Sequence, residues 1–284
     1  MISTAFDYER PANLTDALAL LSLRGESARV LAGGHSLLPM MKLRFASPEL
    51  LVDVNELTEL HGVTIDETEA VIGAATTHAM LEHNGALAAV LPLIASVAHQ
   101  IADPTVRNRG TLGGSLAHAD PSADWPAVML ALGASIEVAS AAGRRSIAAE
   151  EFFVGLFETA LVPGEIIVAV RIPLQPGARM AYRKFRHPAS GYAVVAAAVV
   201  LDIDAGHCRG GRIAVTGFAD HVFLASKAEP LLRDYAGRED ETVRLLDAAF
   251  ADAVPLEDRF ADAEYRVQLG RTMLRRALAD ALPA

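Results

Sequence analysis

Apolar and polar residues alternate along the first half of the chain in short blocks that predict helices and strands. Apolar residues at helical spacing follow the candidate caps Asn13 and Thr15, and they predict a helix over residues 14–23. Apolar runs predict strands at residues 50–54, 71–73, 135–139 and 165–172, and helical patterns cover residues 77–84 and 86–97. This mixture predicts a fold of the α+β class.

A cluster of prolines and glycine at residues 173–177 interrupts this pattern and predicts a domain boundary. The chain has 284 residues, more than one domain usually contains, so we expect two domains, at residues 1–174 and 177–284. In the second domain we predict three strands (180–186, 193–202 and 212–217) and three helices (225–235, 239–253 and 262–282). A three-stranded sheet with a helical bundle is therefore expected there.

Charge and composition narrow the classes of function. A net charge of −10 argues against a general nucleic-acid binder, because such proteins need clustered positive charge. The first ten residues contain Asp7 and Glu9 and lack the apolar segment of a signal peptide. The longest apolar stretches, residues 86–98 and 192–201, fall short of the roughly 20 residues that cross a bilayer. We therefore expect a cytoplasmic protein without a transmembrane segment.

Two short glycine turns, at residues 32–36 and 111–115, are the strongest chemical signal. Paired glycines tolerate positive φ, so consecutive amides can form a concave nest for an anion. The first turn lies between a predicted strand and a helix that Ser36 is expected to cap, an arrangement typical of phosphate sites. A tight connection without a ligand explains one such turn equally well. The two turns together predict a clamp for a diphosphate, although neither has the Rossmann or P-loop spacing.

The second turn lies in a long polar segment that carries further candidate residues. Arg107 and Arg109 could offset the charge of a diphosphate or lie on the surface. Asp120 is expected to cap a helix with Pro121 in its first turn and Asp124 near its third position. Asp124 has two interpretations that the sequence leaves open, interaction with the helix dipole and acceptance of hydrogen bonds from ligand hydroxyls.

The cysteine count and the absence of metal-binding motifs argue against an autonomous metal catalyst. Cys208 is the only cysteine, whereas an iron–sulfur cluster of the ferredoxin kind needs four cysteine ligands. The chain has no C-x-x-C pair, no H-E-x-x-H motif and no histidine set with ligand spacing. We predict no metal site and no catalytic side chain in this chain.

Two sequence strings carry a family resemblance. A-G-G-H-S-L-L-P-M-M-K-L-R (32–44) and T-V-R-N-R-G-T-L-G-G-S-L-A-H-A-D-P-S-A-D-W-P-A (105–127) resemble the FAD-binding medium subunit of molybdenum hydroxylases of the aerobic carbon monoxide dehydrogenase type. They are more distantly similar to the flavin segment of xanthine dehydrogenases. The resemblance implies a vanillyl-alcohol-oxidase-like (PCMH-type) FAD-binding domain in which both turns enclose the FAD diphosphate, followed by a C-terminal domain of the carbon monoxide dehydrogenase flavoprotein type.

The resemblance also implies which residues bind FAD. The diphosphate turns match Ala32, Gly33, Gly34, His35 and Ser36 in the first and Thr111, Gly113, Gly114 and Ser115 in the second. Asp124 matches an aspartate that reaches FAD hydroxyls, and Lys184 matches a lysine near the flavin, although an ordinary surface lysine is the alternative. Apolar contacts near the cofactor match Ile101, Ile166 and Ile167, and an aromatic residue beside the ring matches Tyr192. Ser115 replaces the asparagine or aspartate frequent in the family.

The implied function is an FAD-carrying electron-transfer subunit of a multi-subunit molybdenum hydroxylase. A large subunit would hold the molybdopterin and a small subunit two [2Fe-2S] clusters, in a dimer of heterotrimers. Association with the inner face of the membrane would occur only through the complex. A free-standing FAD-dependent oxidoreductase and a scaffold that has lost flavin are the alternatives. The substrate and the electron acceptor are not predicted.

Overall fold

The computed structural model describes residues 2–282, and its first elements build a small parallel sheet. These elements are β1 (Asp7–Glu9), α1 (Leu14–Arg24), β2 (Ala28–Leu31), α2 (Leu37–Leu43) and β3 (Leu50–Asp53), and the strand order is β1-β3-β2. The expected cap of α1 is confirmed, because the Asn13 side chain accepts a hydrogen bond from the Asp16 N–H. Since parallel strands end at one edge, the residues that follow β2 and β3 lie side by side.

A second, antiparallel sheet follows. Its strands are β4 (Val63–Ile65), β5 (Glu69–Gly73), β6 (Ser135–Ser140), β7 (Gly143–Ala148) and β10 (Ile166–Pro173). Between β7 and β10 in the sequence, β8 (Phe153–Gly155) and β9 (Glu158–Thr159) form a separate hairpin. The order in the sheet is β4-β5-β10-β6-β7, so the strand nearest the predicted boundary lies in the centre. The short strands β4, β7, β8 and β9 lack a clear alternating pattern and were not predicted.

Short helices connect the strands of the second sheet. They are α3 (His78–Glu82), α4 (Gly85–Val90), α5 (Pro92–Gln100), α6 (Pro104–Arg107), α7 (Leu112–His118), α8 (Asp124–Leu132) and α9 (Ala149–Phe152). The single helix predicted over residues 86–97 is divided at Leu91, because Pro92 lacks an N–H and begins a new helix.

The second region contains four strands rather than the three predicted. Its elements are β11 (Arg179–Arg186), β12 (Ala193–Asp204), β13 (His207–Thr216), β14 (Phe223–Leu224), α10 (Glu239–Ala249) and α11 (Ala263–Ala281), and the strands pair in sequence order. β14 has two residues, too few for a periodic signal. The helix predicted over residues 225–235 is wrong: only a 3-10 turn forms at Glu229–Leu232, since Pro230 cannot donate to a helical ladder.

The long strand β12 is buried on both faces. Ala196, Ala198 and Val200 pack with α8 of the first region, whereas the alternate residues Ala197, Val199 and Leu201 pack with α10 and α11. This burial explains why the strand reads as one continuous apolar run. The two regions consequently share one apolar core across the predicted boundary.

Arg266 of α11 anchors the second region, although its side chain is only 2% exposed. Its Nη1 donates to the carbonyl oxygens of Val194 (2.6 Å) and Gly217 (2.5 Å), and its Nε donates to Leu256 O (2.8 Å). Nη2 pairs with the Asp258 carboxylate at 2.7 Å. The guanidinium therefore ties the ends of β12 and β13 to the segment before α11.

Arg266→Lys is expected to lower the free energy of unfolding by about 2 kcal/mol. A lysine ammonium cannot reproduce the planar fork, so at least two buried acceptors lose their donor at about 1 kcal/mol each. Urea unfolding measures the difference. Arg271→Lys on the same helix is the control, because Arg271 pairs with an exposed Asp247 and its replacement should change little. Equal losses in the two variants would contradict the anchoring role.

Candidate functional site

A deep cleft of about 800 Å³ runs between the two sheets of the first region and the β11–β12 loop. Fourteen of the fifteen predicted cofactor-binding residues line it: Ala32, Gly33, Gly34, His35, Ser36, Ile101, Thr111, Gly113, Gly114, Ser115, Asp124, Ile166, Ile167 and Tyr192. Lys184 does not. The volume is within the range of small-molecule sites.

The two glycine turns are in direct contact. A Cβ atom on Gly33 would lie 2.3 Å from the carbonyl oxygen of Arg109 and 2.8 Å from the Cα of Gly110. A Cβ atom on Gly114 would lie 3.9 Å from the Cβ of Ala32. The turns, almost 80 positions apart in the sequence, therefore form one wall of the cleft, and only glycine at position 33 permits this approach.

The first turn carries unpaired main-chain donors. Within residues 2–282, the N–H groups of Gly33, Gly34, His35 and Ser36 donate no hydrogen bond to another group of the protein. Gly34 has φ of +76°, the left-handed conformation that produces concave amide nests. Ser36 occupies the cap position of α2, but its side chain makes no capping bond, and its N–H has no partner. Four consecutive free donors are an arrangement suited to an anion.

The second turn differs from this expectation. Its amides already have partners within the protein: Gly113 N–H donates to Ala74 O (2.8 Å), Gly114 N–H to Thr111 Oγ1 (3.1 Å) and Ser115 N–H to Thr111 O (3.1 Å). These bonds form because Thr111 caps α7 and because the turn packs against the end of β5. The second turn therefore offers the hydroxyl groups of Thr111 and Ser115 to the cleft, and few free main-chain donors.

The start of α8 also differs from the prediction. The helix begins at Asp124, and the Asp120 side chain accepts a bond from Ser122 N–H (2.8 Å) instead of capping it. Tertiary contacts override the local capping signal: Ser122 O accepts from the N–H of Ala193, and Pro121 O accepts from the N–H of Gly217. The segment before α8 is thus held by the ends of β12 and β13.

A buried ion pair lies beneath the cleft floor. Lys184 Nζ is 2.9 Å from Asp124 Oδ1 and also donates to the carbonyl oxygens of Gln100 (3.0 Å) and Gly191 (3.1 Å). The Tyr182 hydroxyl donates to the same carboxylate. Burial raises the pKa of Asp124, against the opposing effects of Lys184 and Tyr182. Lys184 is therefore not a surface lysine, and its hydrogen bonds connect it to two residues that line the cleft, Asp124 and Gly191.

Tyr192 brings the second region to the first glycine turn. Tyr192 is the last residue of the loop between β11 and β12. Its side chain lines the cleft and contacts the side chain of Ser36. Burial of the hydroxyl raises the pKa of Tyr192, while the contact with Ser36 lowers it. An aromatic ring at the mouth of the cleft can pack against a planar ligand.

His78, at the start of α3, is a cleft residue that sequence reasoning missed. Its side chain is buried, and its Nδ1 accepts from Trp125 Nε1 at 3.1 Å, so its neutral form carries the proton on Nε2. Burial, with His35 and Arg107 nearby, lowers the pKa of His78 to about 4. A Cβ atom on Gly110 would lie 2.8 Å from Nε2, which places this neutral donor where the two turns meet.

We expect His78 to make stability depend on pH. Its pKa is about 4 when folded and about 6.5 when unfolded, so the unfolded chain binds more protons between these values and stability falls as the pH drops through them. The loss from pH 7 to pH 4 is about 3 kcal/mol. His78→Gln should remove that part of the pH dependence in urea unfolding. His83→Gln, at an exposed position, should retain it, and identical profiles would contradict the assignment.

Two further classes of site are absent from residues 2–282. There, no cluster of three or more histidine, cysteine, aspartate or glutamate side chains is arranged to hold a metal ion. No helix in that range combines the length and apolar character needed to cross a bilayer.

Comparison with known proteins identifies the family. Residues 4–175 match the model of the FAD binding domain in molybdopterin dehydrogenase, and residues 180–281 match that of the CO dehydrogenase flavoprotein C-terminal domain. The carbon monoxide dehydrogenase medium chain of Afipia carboxidovorans is 42% identical over 99% of this chain and 98% of its own length.

Two further relatives agree. The alpha subunit of the 6-hydroxypseudooxynicotine dehydrogenase complex of Paenarthrobacter nicotinovorans is 37% identical over 98% of this chain and 95% of its own length. A solved chain of reconstituted CO dehydrogenase from Oligotropha carboxidovorans has a TM-score of 0.96 and 42% identity, with 99% of each chain covered. The predicted fold and family are confirmed: this chain belongs to the FAD-binding subunits of the molybdopterin dehydrogenase family, as an oxidoreductase component of the carbon monoxide dehydrogenase type.

Proposed function

We propose that the cleft holds FAD with its diphosphate against the first glycine turn. The observation that carries this assignment is the row of four free N–H groups from Gly33 to Ser36 in the cleft wall. Gly33 leaves no side chain between those donors and the second turn. The neutral His78 adds a side-chain donor at the same junction, and Thr111 and Ser115 add hydroxyl groups. The residues present therefore fit a diphosphate.

The remaining cleft residues suit the two ring systems of FAD. Ile101, Ile166 and Ile167 supply apolar walls, and Tyr192 supplies an aromatic surface at the mouth. Asp124 lines the cleft, and its carboxylate is held by Lys184 and Tyr182; we propose that it accepts a hydrogen bond from an FAD hydroxyl. Lys184 contributes by holding Asp124 and the Gly191 carbonyl in place.

Bound FAD supplies redox chemistry that accepts and releases electrons singly or in pairs. The protein side chains bind the cofactor, orient it and exclude water from it. We propose that electrons enter from [2Fe-2S] clusters on a small subunit, that molybdopterin lies on a large subunit, and that an acceptor removes the electrons. With one cysteine, Cys208, this chain lacks the ligands for such a cluster.

The assembly and the division of the chain are also part of the proposal. We infer a dimer of heterotrimers in the cytoplasm, with an FAD-binding part at residues 1–174 and a C-terminal part at residues 177–284. The relatives are named as subunits or chains of multi-subunit dehydrogenases, which favours this reading over a free-standing flavoenzyme. Their names include different dehydrogenase activities, which supports our proposal that the partner carrying the molybdenum selects the substrate.

Purification of the chain with the products of its neighbouring genes tests the proposal. The expected preparation contains equimolar FAD, together with iron and molybdenum that elute with the partner subunits. FAD in a chain that purifies alone, with full oxidase or dehydrogenase activity, would support the free-standing alternative. A complex without flavin that also fails to take up added FAD would overturn the assignment.

A further inference from the structure

Asn55 connects the end of β3 to the first glycine turn. Its Nδ2 donates to the carbonyl oxygen of Ala32 at 2.9 Å and to Asp53 Oδ1 at 2.7 Å. Its backbone N–H donates to the same Asp53 oxygen at 2.9 Å, and its carbonyl lies 2.9 Å from His61 Nε2. Both ends of the residue are therefore fixed, and its side chain bridges two segments that follow adjacent strands.

The partners of Asn55 decide which way its amide faces. Ala32 O and the Asp53 carboxylate are both acceptors, so the NH₂ group must point toward them. Asp53 is buried and receives a further bond from the Tyr8 hydroxyl at 2.5 Å. Burial raises the pKa of Asp53, but the bonds from Tyr8 and Asn55 outweigh it and hold the pKa below its usual value. The carboxylate thus stays ionised and keeps the Asn55 amide in one orientation.

The hydrogen bond to Ala32 O also sets the direction in which the next N–H group, that of Gly33, points. In a trans peptide, the C=O of one residue and the N–H of the next point in opposite directions, and the described residues contain no cis peptide bond. Because Asn55 holds the Ala32 carbonyl on the side of β3, the Gly33 N–H points to the opposite side. This N–H is one of the four donors without a partner in the cleft wall.

We propose that Asn55 is a positioning residue for FAD: it fixes the Ala32–Gly33 peptide so that the first turn presents its free N–H groups to the diphosphate. Asp53 and Tyr8 act one step further away, by holding Asn55. This inference rests on the proposed contact between the first turn and the FAD diphosphate. Neither Asn55, Asp53 nor Tyr8 touches the cofactor in this role.

The test measures ligand affinity in the complex purified with its partner subunits, after the flavin has been removed. Asn55→Ala deletes the donor to Ala32 O without adding charge, and we expect the dissociation constant for FAD to rise about ten-fold. ADP, which carries the diphosphate, should lose affinity by a similar factor. Riboflavin, which has no phosphate, should bind the variant and the wild type equally. Tyr8→Phe should give a smaller loss in the same direction.

Asn84→Ala is the matched control. Asn84 caps α4 through a bond to Leu87 N–H (2.9 Å), away from the cleft, and its loss costs about 1 kcal/mol of stability, as an N-cap typically does. Thermal unfolding of both alanine variants shows whether they are destabilised alike. The control should keep the wild-type affinity for FAD and ADP.

Each outcome separates the positioning role from the proposed function. If Asn55→Ala and Asn84→Ala bind FAD and ADP as the wild type does, the positioning role is wrong while the diphosphate site stands. If Asn55→Ala weakens riboflavin as much as FAD, the residue has only a general structural role. If the wild-type complex itself takes up neither FAD nor ADP, the proposed function fails.

Discussion

Lys184→Met is expected to lower the free energy of unfolding by about 3 to 5 kcal/mol at pH 8. Removing one partner of a buried ion pair leaves the other as an uncompensated charge, which is far more costly than losing the pair as a whole. The Lys184 side chain is 2% exposed and that of Asp124 is 5% exposed, so water cannot replace the lost partner. Urea unfolding monitored by circular dichroism measures the change.

The sign of the pH dependence provides a second check on Lys184→Met. Without the ammonium, we expect Asp124 to take up a proton in the folded state at a pH where it is ionised in the unfolded chain. The folded state then binds more protons, so the stability of the variant should fall as the pH rises. Lys227→Met, which removes an exposed partner of Asp252, should cost less than about 1 kcal/mol at either pH. If Lys184→Met also lowered the free energy of unfolding by less than about 1 kcal/mol, the ion pair between Lys184 and Asp124 would not be buried as described.

Gly33→Val is expected to raise the dissociation constant for FAD about 100-fold. Its Cβ would lie 2.3 Å from a backbone oxygen of Arg109, which cannot rotate away, so the two turns must separate. Loss of two hydrogen bonds to a charged diphosphate, at about 1.5 kcal/mol each, gives a change of this size. Flavin content after purification and titration of the stripped complex with FAD are the measurements.

Gly85→Val controls for the substitution itself, because a Cβ there meets no atom within 4 Å and the residue lies outside the cleft. It should retain its flavin. A Gly33→Val complex with wild-type flavin content would show that the diphosphate does not lie where the two turns meet.

Gly114→Ala distinguishes the roles of the two turns. The new Cβ would lie 2.7 Å from the Thr111 hydroxyl, while the Ala32 Cβ is at an ordinary contact distance of 3.9 Å, and the Gly114 N–H is already hydrogen-bonded within the protein. We expect a loss of FAD affinity of less than about ten-fold, since a rotated threonine forfeits roughly one bond. A loss as large as that in Gly33→Val would indicate that the second turn supplies main-chain donors as well.

The sequence predicts much of the cleft lining, because the residues concerned are concentrated in short strings. Glycine pairs in both turns, and the family strings around them, are sufficient to select ten of the residues that line the cleft, and the resemblance elsewhere in the chain adds Ile101, Ile166, Ile167 and Tyr192. The continuous apolar run of β12 is equally visible, because burial on both faces removes polar residues from the strand.

The supporting residues could not be predicted, because their partners lie far away in the sequence. Asn55 is a single polar residue after a strand, and its bond to Ala32 spans 23 positions. His78 is hydrogen-bonded to Trp125, 47 positions away, and a contact over that distance leaves no pattern in the sequence around either residue. The capping signal at Asp120 misleads for the same reason, since the ends of distant strands hold residues 121–123.

Sharing of one core between the two regions has a consequence for biosynthesis. The ribosome releases α8 while β12 and β13, whose side chains cover it, are still unmade. The buried apolar residues of α8, at positions 125–132, therefore lack this cover in the nascent polypeptide until β13 has been made. A chain that ends near residue 175 would leave the apolar face of α8 exposed, and we expect such a fragment to aggregate.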